Sequence, residues 1–182
     1  PHPHTPARRQ RQMCIRDSVK HNGPMTKDVP NTIKALDKEF DLKLNEFSSI
    51  EAQIASIADD IAYNNHDLDD GLRAGFFSYD DLVELPMIGE IIKNFPKNYN
   101  SYDMQRINNE ITRKSTSIMI TDVINTISEK VKKSKVRCNE DVRLNNEKIA
   151  DFSDKTKEEV KYSRSFLSMK MYYHDKVKAR TS

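Results

Sequence analysis

Between Ser48 and Gly75 the chain sets Ile50, Ile54, Ile57, Ile61, Leu68 and Leu72 at spacings of three, four and seven. At about 100° per residue these positions make one narrow apolar stripe, which predicts a helix with the stripe buried. The other side of that helix is unusual. Ala52, Ala55, Ser56 and Ala62 keep it small, then Asp59, Asp60, Tyr63 and Asp67 follow, with no Lys or Arg between Glu51 and Leu72. An exposed helix normally mixes both charge signs. Asp is also a poor mid-helix residue, because its short side chain competes for backbone hydrogen bonds. Asp59, Tyr63 and Asp67 are four apart and form a slowly rotating line along one face, so a carboxylate, a phenol and a second carboxylate could meet one small ligand. The same residues also read as a solvated acidic face leading into a capping turn, and pattern alone leaves both readings open.

Elsewhere the pattern is helical too. Asn22-Gly23-Pro24 is a breaker, and His21 before it reads as a capping or packing residue rather than a ligand. Asn31 is positioned to cap a helix from Thr32 carrying Ile33, Leu36 and Phe40, and residues 41–47 read as a connector. Ser78 opens a short helix through Leu82 and Leu85, and Pro86 starts another with Met87, Ile88, Ile91, Ile92 and Phe95. After a polar loop at 96–100, Ser101 is expected to cap the longest helix, to about Lys133. Met104, Ile107, Ile111, Ile118, Ile124, Ile127 and Val131 mark its expected buried side. Residues 132–146 read as a loop, and Ile149 and Phe152 as a small anchor. The last helix is expected from Ser153 to His174, with Thr156 and Glu159 as a capping box. Val160, Leu167 and Met171 form one face of it, widened by Phe166, Met169 and Tyr173, for core or oligomer contact. The predicted fold is all-α.

Composition narrows the function classes. The 182 residues carry 30 basic and 28 acidic side chains, a net charge of +2, so no global field points to nucleic acid or a membrane. No apolar run approaches the roughly 18 residues needed to cross a bilayer. Two cysteines, Cys14 and Cys138, are too few for a disulfide framework, and a reduced cytoplasmic setting is expected. No P-loop, dinucleotide turn, zinc spacing or Ser-His-Asp order is visible. Residues 1–18 stand apart: their basic residues are all Arg, proline and polar residues dominate, and no apolar period appears. Arg-Gln-Arg-Gln-Met-Cys-Ile-Arg-Asp-Ser resembles a translated sequencing adapter, so this stretch is read as a non-native leader expected to make no core contacts.

The stretch Glu-Ala-Gln-Ile-Ala-Ser-Ile-Ala-Asp-Asp-Ile-Ala-Tyr-Asn-Asn-His-Asp-Leu-Asp-Asp-Gly-Leu-Arg-Ala-Gly resembles the last metal-site helix of the deoxyguanosine-triphosphate triphosphohydrolase-like proteins, of the HD-domain phosphohydrolase superfamily. The likeness runs from about Lys20 to Val177 and includes Lys20-His21-Asn22-Gly23-Pro24 and Met171-Tyr172-Tyr173-His174. It implies that residues 19–75 are the C-terminal part of an HD catalytic domain and 76–178 a phosphohydrolase-associated helical domain. The intact enzyme would cleave dGTP, or another dNTP, to deoxynucleoside and triphosphate with a divalent ion, Mg²⁺ or Mn²⁺. By the resemblance, Asp59 would be the final metal ligand, Tyr63 and Asp67 would contact phosphates and sugar, Arg113 a phosphate, and Asp60 would orient the residues around Asp59. Neither His66-Asp67 nor His174-Asp175 matches the family's metal-binding pair, which lies upstream with its first His. The chain alone is therefore expected to be an inactive fragment and, as in the family, to form homo-oligomers. Two rivals stand beside this reading: an HD phosphohydrolase of another nucleotide, and a catalytically silent helical module for oligomerisation or regulation.

Overall fold

The computed structural model describes residues 6–96 and 103–173. The helices are α1 (Pro6–Val19), α2 (Asn31–Phe40), α3 (Ile50–Arg73), α4 (Tyr79–Leu82), α5 (Pro86–Lys93), α6 (Met104–Ser134), α7 (Asn139–Arg143) and α8 (Asp154–Leu167), the last continuing into a π turn, Ser168–Tyr172. No strand occurs among the described residues, and the fold is all-α as the periodicities predict. Ser101 and His174, named as helix ends from sequence, lie outside the described residues. Two compact units form, residues 6–58 with 126–151, and residues 59–96 and 103–125 with 152–173. These are units of packing and are discontinuous in sequence.

The first unit is held by polar residues that an apolar pattern does not show. Gln53 is 1% exposed; its side-chain nitrogen donates to the Ser48 carbonyl at 3.0 Å, and its oxygen accepts the N–H groups of Ile149 at 2.9 Å and Ala150 at 3.0 Å. One glutamine thus satisfies three buried main-chain groups. The expectation that residues 1–18 make no core contacts is not met. They contribute α1, and the Asp17 carboxylate accepts the Ser49 N–H at 3.0 Å and hydroxyl at 2.8 Å, and pairs with the buried Arg143 at 2.9 Å. Burial pushes the Asp17 carboxyl up, but these hydrogen bonds and the guanidinium outweigh it and hold its pKa below the ordinary value. Such anchorage is charged rather than apolar, so periodicity misses it.

Lys20 is fully buried, and its ammonium donates to the Lys43 carbonyl at 2.8 Å. Burial draws its pKa from 10.5 to about 8, against the attraction of Glu46. Between those values the unfolded chain binds more protons than the folded one, so stability rises with pH there. Thermal melts should show the wild type gaining on Lys20→Met as pH is raised from 8 to 10.

In the second unit Pro86 opens α5 at its first turn, as expected. Ser78 and Asp81 cap α4 reciprocally; the Ser78 N–H first, then the Lys170 ammonium at 3.0 Å, lower the Asp81 pKa to about 2. Phe77 meets Phe166 edge to face, with ring centroids 5.1 Å apart. Gly71 makes room for this pair: a Cβ there would lie 2.3 Å from the Phe77 ring. Alanine is the better helix former by about 1 kcal/mol. Gly71→Ala is nonetheless expected to destabilise the fold by about 1–3 kcal/mol in denaturant titration, because the clash must be relieved by repacking.

Several sequence expectations are corrected. In α3, Ile57, Ile61, Leu68 and Leu72 are buried, but Ile50 is half-buried and Ile54 is 43% exposed. In α6 the buried line is Ile107, Ile111, Ser115, Met119 and Val123, whereas Met104, Ile118 and Ile124 are exposed and Ile127 and Val131 half-buried. Isoleucines occur on more than one face of this helix, and the small Ser115 on the packed face interrupts the apolar period. Residues 132–146 are not one loop, since α6 runs to Ser134 and α7 lies within them. Asn31 is the first residue of α2, after an N-cap at Pro30 that makes no side-chain bond. Ser153, rather than Thr156 with Glu159, caps α8: its hydroxyl accepts the Thr156 N–H at 3.3 Å and donates to Asp122 at 2.6 Å. On the last helical face Val160, Phe166 and Leu167 are buried and Met171 is half-buried, while Met169 and Tyr173 are exposed.

Candidate functional site

Asp60 and Asp67 are seven residues apart on α3, two turns of helix, and so differ by only about 20° around its axis. Asn64 lies between them on the same side. Asp59 and Asp67 differ by about 80°. Asp60 is thus the acid that shares the face of Asp67, and Asp60, Tyr63, Asn64 and Asp67 line a cavity of about 320 Å³, with Arg164, Leu167 and Tyr172 opposite. Asp59 is exposed and is not part of that lining. The structure therefore brings Asp60, expected only to support Asp59, together with Tyr63 and Asp67.

The opposite wall comes from α8 and its π turn. In a regular α-helix Arg164 and Tyr172, eight residues apart, would stand about 80° from one another. A π turn closes its bonds five residues back and holds more residues per turn, so each turns the chain by less. The Tyr173 N–H reaches the Ser168 carbonyl at 3.1 Å, and Tyr172 swings back towards the Arg164 face. Arg164 then donates to Asp60 at 2.7 Å, and the Tyr172 hydroxyl donates to Asp67. That hydrogen bond first, then burial and the carboxylate's charge, push the Tyr172 phenol up to about 12. Leu167, 2% exposed, supplies the apolar part of the wall, and Asn64, 4% exposed, the most buried polar part. Tyr63 is 63% exposed.

Sequence reasoning missed Arg164, Tyr172 and Asn64 as members of the site. Arg164 and Tyr172 sit among apolar residues on a helix read for packing, and a π turn leaves no period to detect. Arg113, the expected phosphate contact, is elsewhere: it forms a two-pronged pair with Glu110, at 2.8 and 2.9 Å, and does not line this cavity. It lines two other grooves beside Lys114.

The metal implied by the resemblance can be tested against the residues present. Among the described residues no three His, Cys, Asp or Glu side chains gather closely enough to hold an ion. A hard divalent cation keeps its water unless several ligands converge. The described residues do not by themselves fit it. Nor does any helix among them have the length and apolarity to cross a membrane.

An all-helical protein that sets two carboxylates, two phenols and a guanidinium around one cavity is suited to a small ligand that carries charged groups. No family model matches the chain. It is 40% identical over 154 residues, 85% of its length, to a deoxyguanosinetriphosphate triphosphohydrolase-like protein of Roseobacter denitrificans, of which it covers 40%. Proteins of the same name from Bradyrhizobium and Brucella anthropi are 39% and 38% identical, over 87% and 89% of this chain and 41% and 42% of their own. The chain is thus related to the deoxyguanosinetriphosphate triphosphohydrolase-like proteins, as the helix around Asp59 indicates. It spans about two-fifths of the length of the curated relatives it matches.

Proposed function

We propose that this chain is part of a metal-dependent dNTP triphosphohydrolase, with dGTP the favoured substrate, and supplies one wall of its nucleotide site. The observation that carries this reading is the Asp60–Tyr63–Asp67–Arg164–Tyr172 cavity, on a chain 36–40% identical to proteins named for that activity. Arg164 is the side chain suited to a phosphate oxygen, because a guanidinium offers paired donors in a fixed fork. Tyr63 donates a further hydrogen bond to phosphate, and Asp67 accepts one from a sugar hydroxyl in exchange for that of Tyr172. Two carboxylates against one guanidinium leave the lining net negative, so it suits a triphosphate that arrives with a divalent cation better than a bare one.

Asp59 lies outside this lining and is proposed as a metal ligand completed by residues beyond those described. When bound, the metal would supply charge neutralisation and an activated water. The chain alone is then expected to hold Mg²⁺ or Mn²⁺ weakly and to release no triphosphate. In the assembled protein, residues 76–178 would serve packing and homo-oligomer formation.

The test is isothermal titration of the 182-residue chain with Mn²⁺, with dGTP, and with both. The reading expects weak heats for either alone and tighter dGTP binding with the cation present. Indifference of dGTP binding to Mn²⁺ speaks against it, and tight Mn²⁺ binding without nucleotide would mean a metal site made within this chain.

A further inference from the structure

We infer that Tyr172 is an autoinhibitory latch of this cavity: in the ligand-free protein its hydroxyl holds the place at Asp67 that the ligand's sugar hydroxyl takes. The inference rests on the proposed function and adds to it the regulation of the same site. The Tyr172 hydroxyl reaches across the cavity and donates to the Asp67 carboxylate, which is only partly buried. A phenol and a sugar hydroxyl each offer one O–H to this acceptor, so they compete for it. The backbone is arranged for the latch. Without the π turn Ser168–Tyr172, the phenol would stand away from the Arg164 face and miss Asp67. Such turns are rare and occur mostly at functional sites. Past the buried Leu167 the turn is lightly packed: Met171 is half-buried, Met169 and Tyr173 are exposed, and Tyr172 itself is 49% exposed. The ring can therefore turn outward without opening the core. A separate contact of the turn, Lys170 to Asp81 at 3.0 Å, lies off the cavity lining and need not break.

The latch acts on affinity through exchange. A nucleotide with a 3′-hydroxyl trades the phenol's hydrogen bond for its own and gains no bond in number. A nucleotide without that hydroxyl leaves the phenol in place, and Asp67 stays satisfied. Tyr172 therefore weakens binding of hydroxyl-bearing nucleotides in particular. Exchange also releases the phenol. Its pKa, pushed up to about 12 chiefly by the hydrogen bond to Asp67, should then fall back towards 10.0.

Two measurements on the 182-residue chain test this. The first is isothermal titration of the wild type and Tyr172→Phe with dGTP and with 2′,3′-dideoxyGTP, both with Mn²⁺ present. The variant should bind dGTP about two- to tenfold more tightly, the worth of one net hydrogen bond. It should bind the dideoxy analogue no more tightly than the wild type does. Unchanged or weaker dGTP binding in Tyr172→Phe overturns the inference and leaves the proposed function standing. Equal tightening for both nucleotides overturns it too, since Tyr172 would then merely obstruct the cavity. If wild type and variant both ignore dGTP, the proposed function falls, and this inference with it. The second measurement needs no substitution: nitration of Tyr172 by tetranitromethane, read by peptide mass, with the exposed Tyr162 of the same helix as reference. The reagent attacks the phenolate, and each pKa unit is a factor of ten in the phenolate present. Saturating dGTP with Mn²⁺ should therefore speed Tyr172 nitration about tenfold or more relative to Tyr162, and the dideoxy analogue should not. Slower or unchanged nitration with dGTP bound would mean that Tyr172 closes on the ligand rather than yielding to it, and would overturn the inference.

Discussion

Asp59→Ala is expected to bring metal-dependent triphosphate release to background in the completed enzyme. That enzyme is the Roseobacter denitrificans relative with its matched two-fifths exchanged for the corresponding residues of this chain. Losing a partner that merely orients a metal ligand costs roughly 10–100-fold. Losing a ligand should cost more, because both ion affinity and activation of the bound water fall together. The exposed position of Asp59, off the cavity lining, makes a structural explanation of such a loss weak: an exposed side chain can be truncated with little effect on the fold. Melting temperature and turnover measured side by side separate the two. Wild-type turnover in Asp59→Ala would remove Asp59 from the chemistry, whereas a loss matched by unfolding would make it structural. Tyr63→Phe should be milder, since one hydrogen bond goes while the ring remains.

Arg164→Ala should produce the second largest effect, and a more selective one. Its ion pair with Asp60 is half-exposed, 52% and 47% for the two side chains, and such a pair contributes at most about 1 kcal/mol to stability. A charge-assisted hydrogen bond to a phosphate is worth about 1.5–3 kcal/mol, so dGTP affinity should fall roughly 10–100-fold while the fold barely changes. Asp60→Asn makes the opposite change. It frees the guanidinium and removes a like charge from the path of the phosphates, so affinity should rise. Equal weakening by both substitutions would show that the ion pair itself, rather than the free arginine, serves the ligand.

Helices were largely legible in the sequence, because Ile57, Ile61, Leu68 and Leu72 follow the 3.6-residue period that packing imposes. What escaped was carried by residues with no period. Gln53 reads as a solvated residue until its three main-chain partners are seen. Asp17 reads as part of a foreign leader, although it holds Ser49 and Arg143. In α6 the choice between Ile118 and Met119 as a buried position depends on which neighbour packs there, which hydropathy alone does not encode.

The site was legible in part. The unneutralised acids on α3 pointed to it, and resemblance attached roles to Asp59, Tyr63 and Asp67. Spacing by four, however, drew attention to the line Asp59–Tyr63–Asp67, which turns by about 40° at each step, whereas spacing by seven turns by only about 20°. Asp60 rather than Asp59 therefore shares the face of Asp67, and it lines the cavity with Tyr63 and Asp67. Arg164 and Tyr172 reach it from more than a hundred residues away through a π turn, a feature without a periodic signature. Arg113, with Glu110 three residues before it, had a local partner in plain view.

The central claim is that this chain supplies one wall of a triphosphohydrolase site, and product analysis tests it most directly. The completed enzyme described above, incubated with dGTP and Mn²⁺ beside the 182-residue chain, should release deoxyguanosine and inorganic triphosphate in equal amounts. The 182-residue chain should release neither. Formation of dGMP or dGDP by the completed enzyme, or triphosphate from the 182-residue chain alone, would contradict the account.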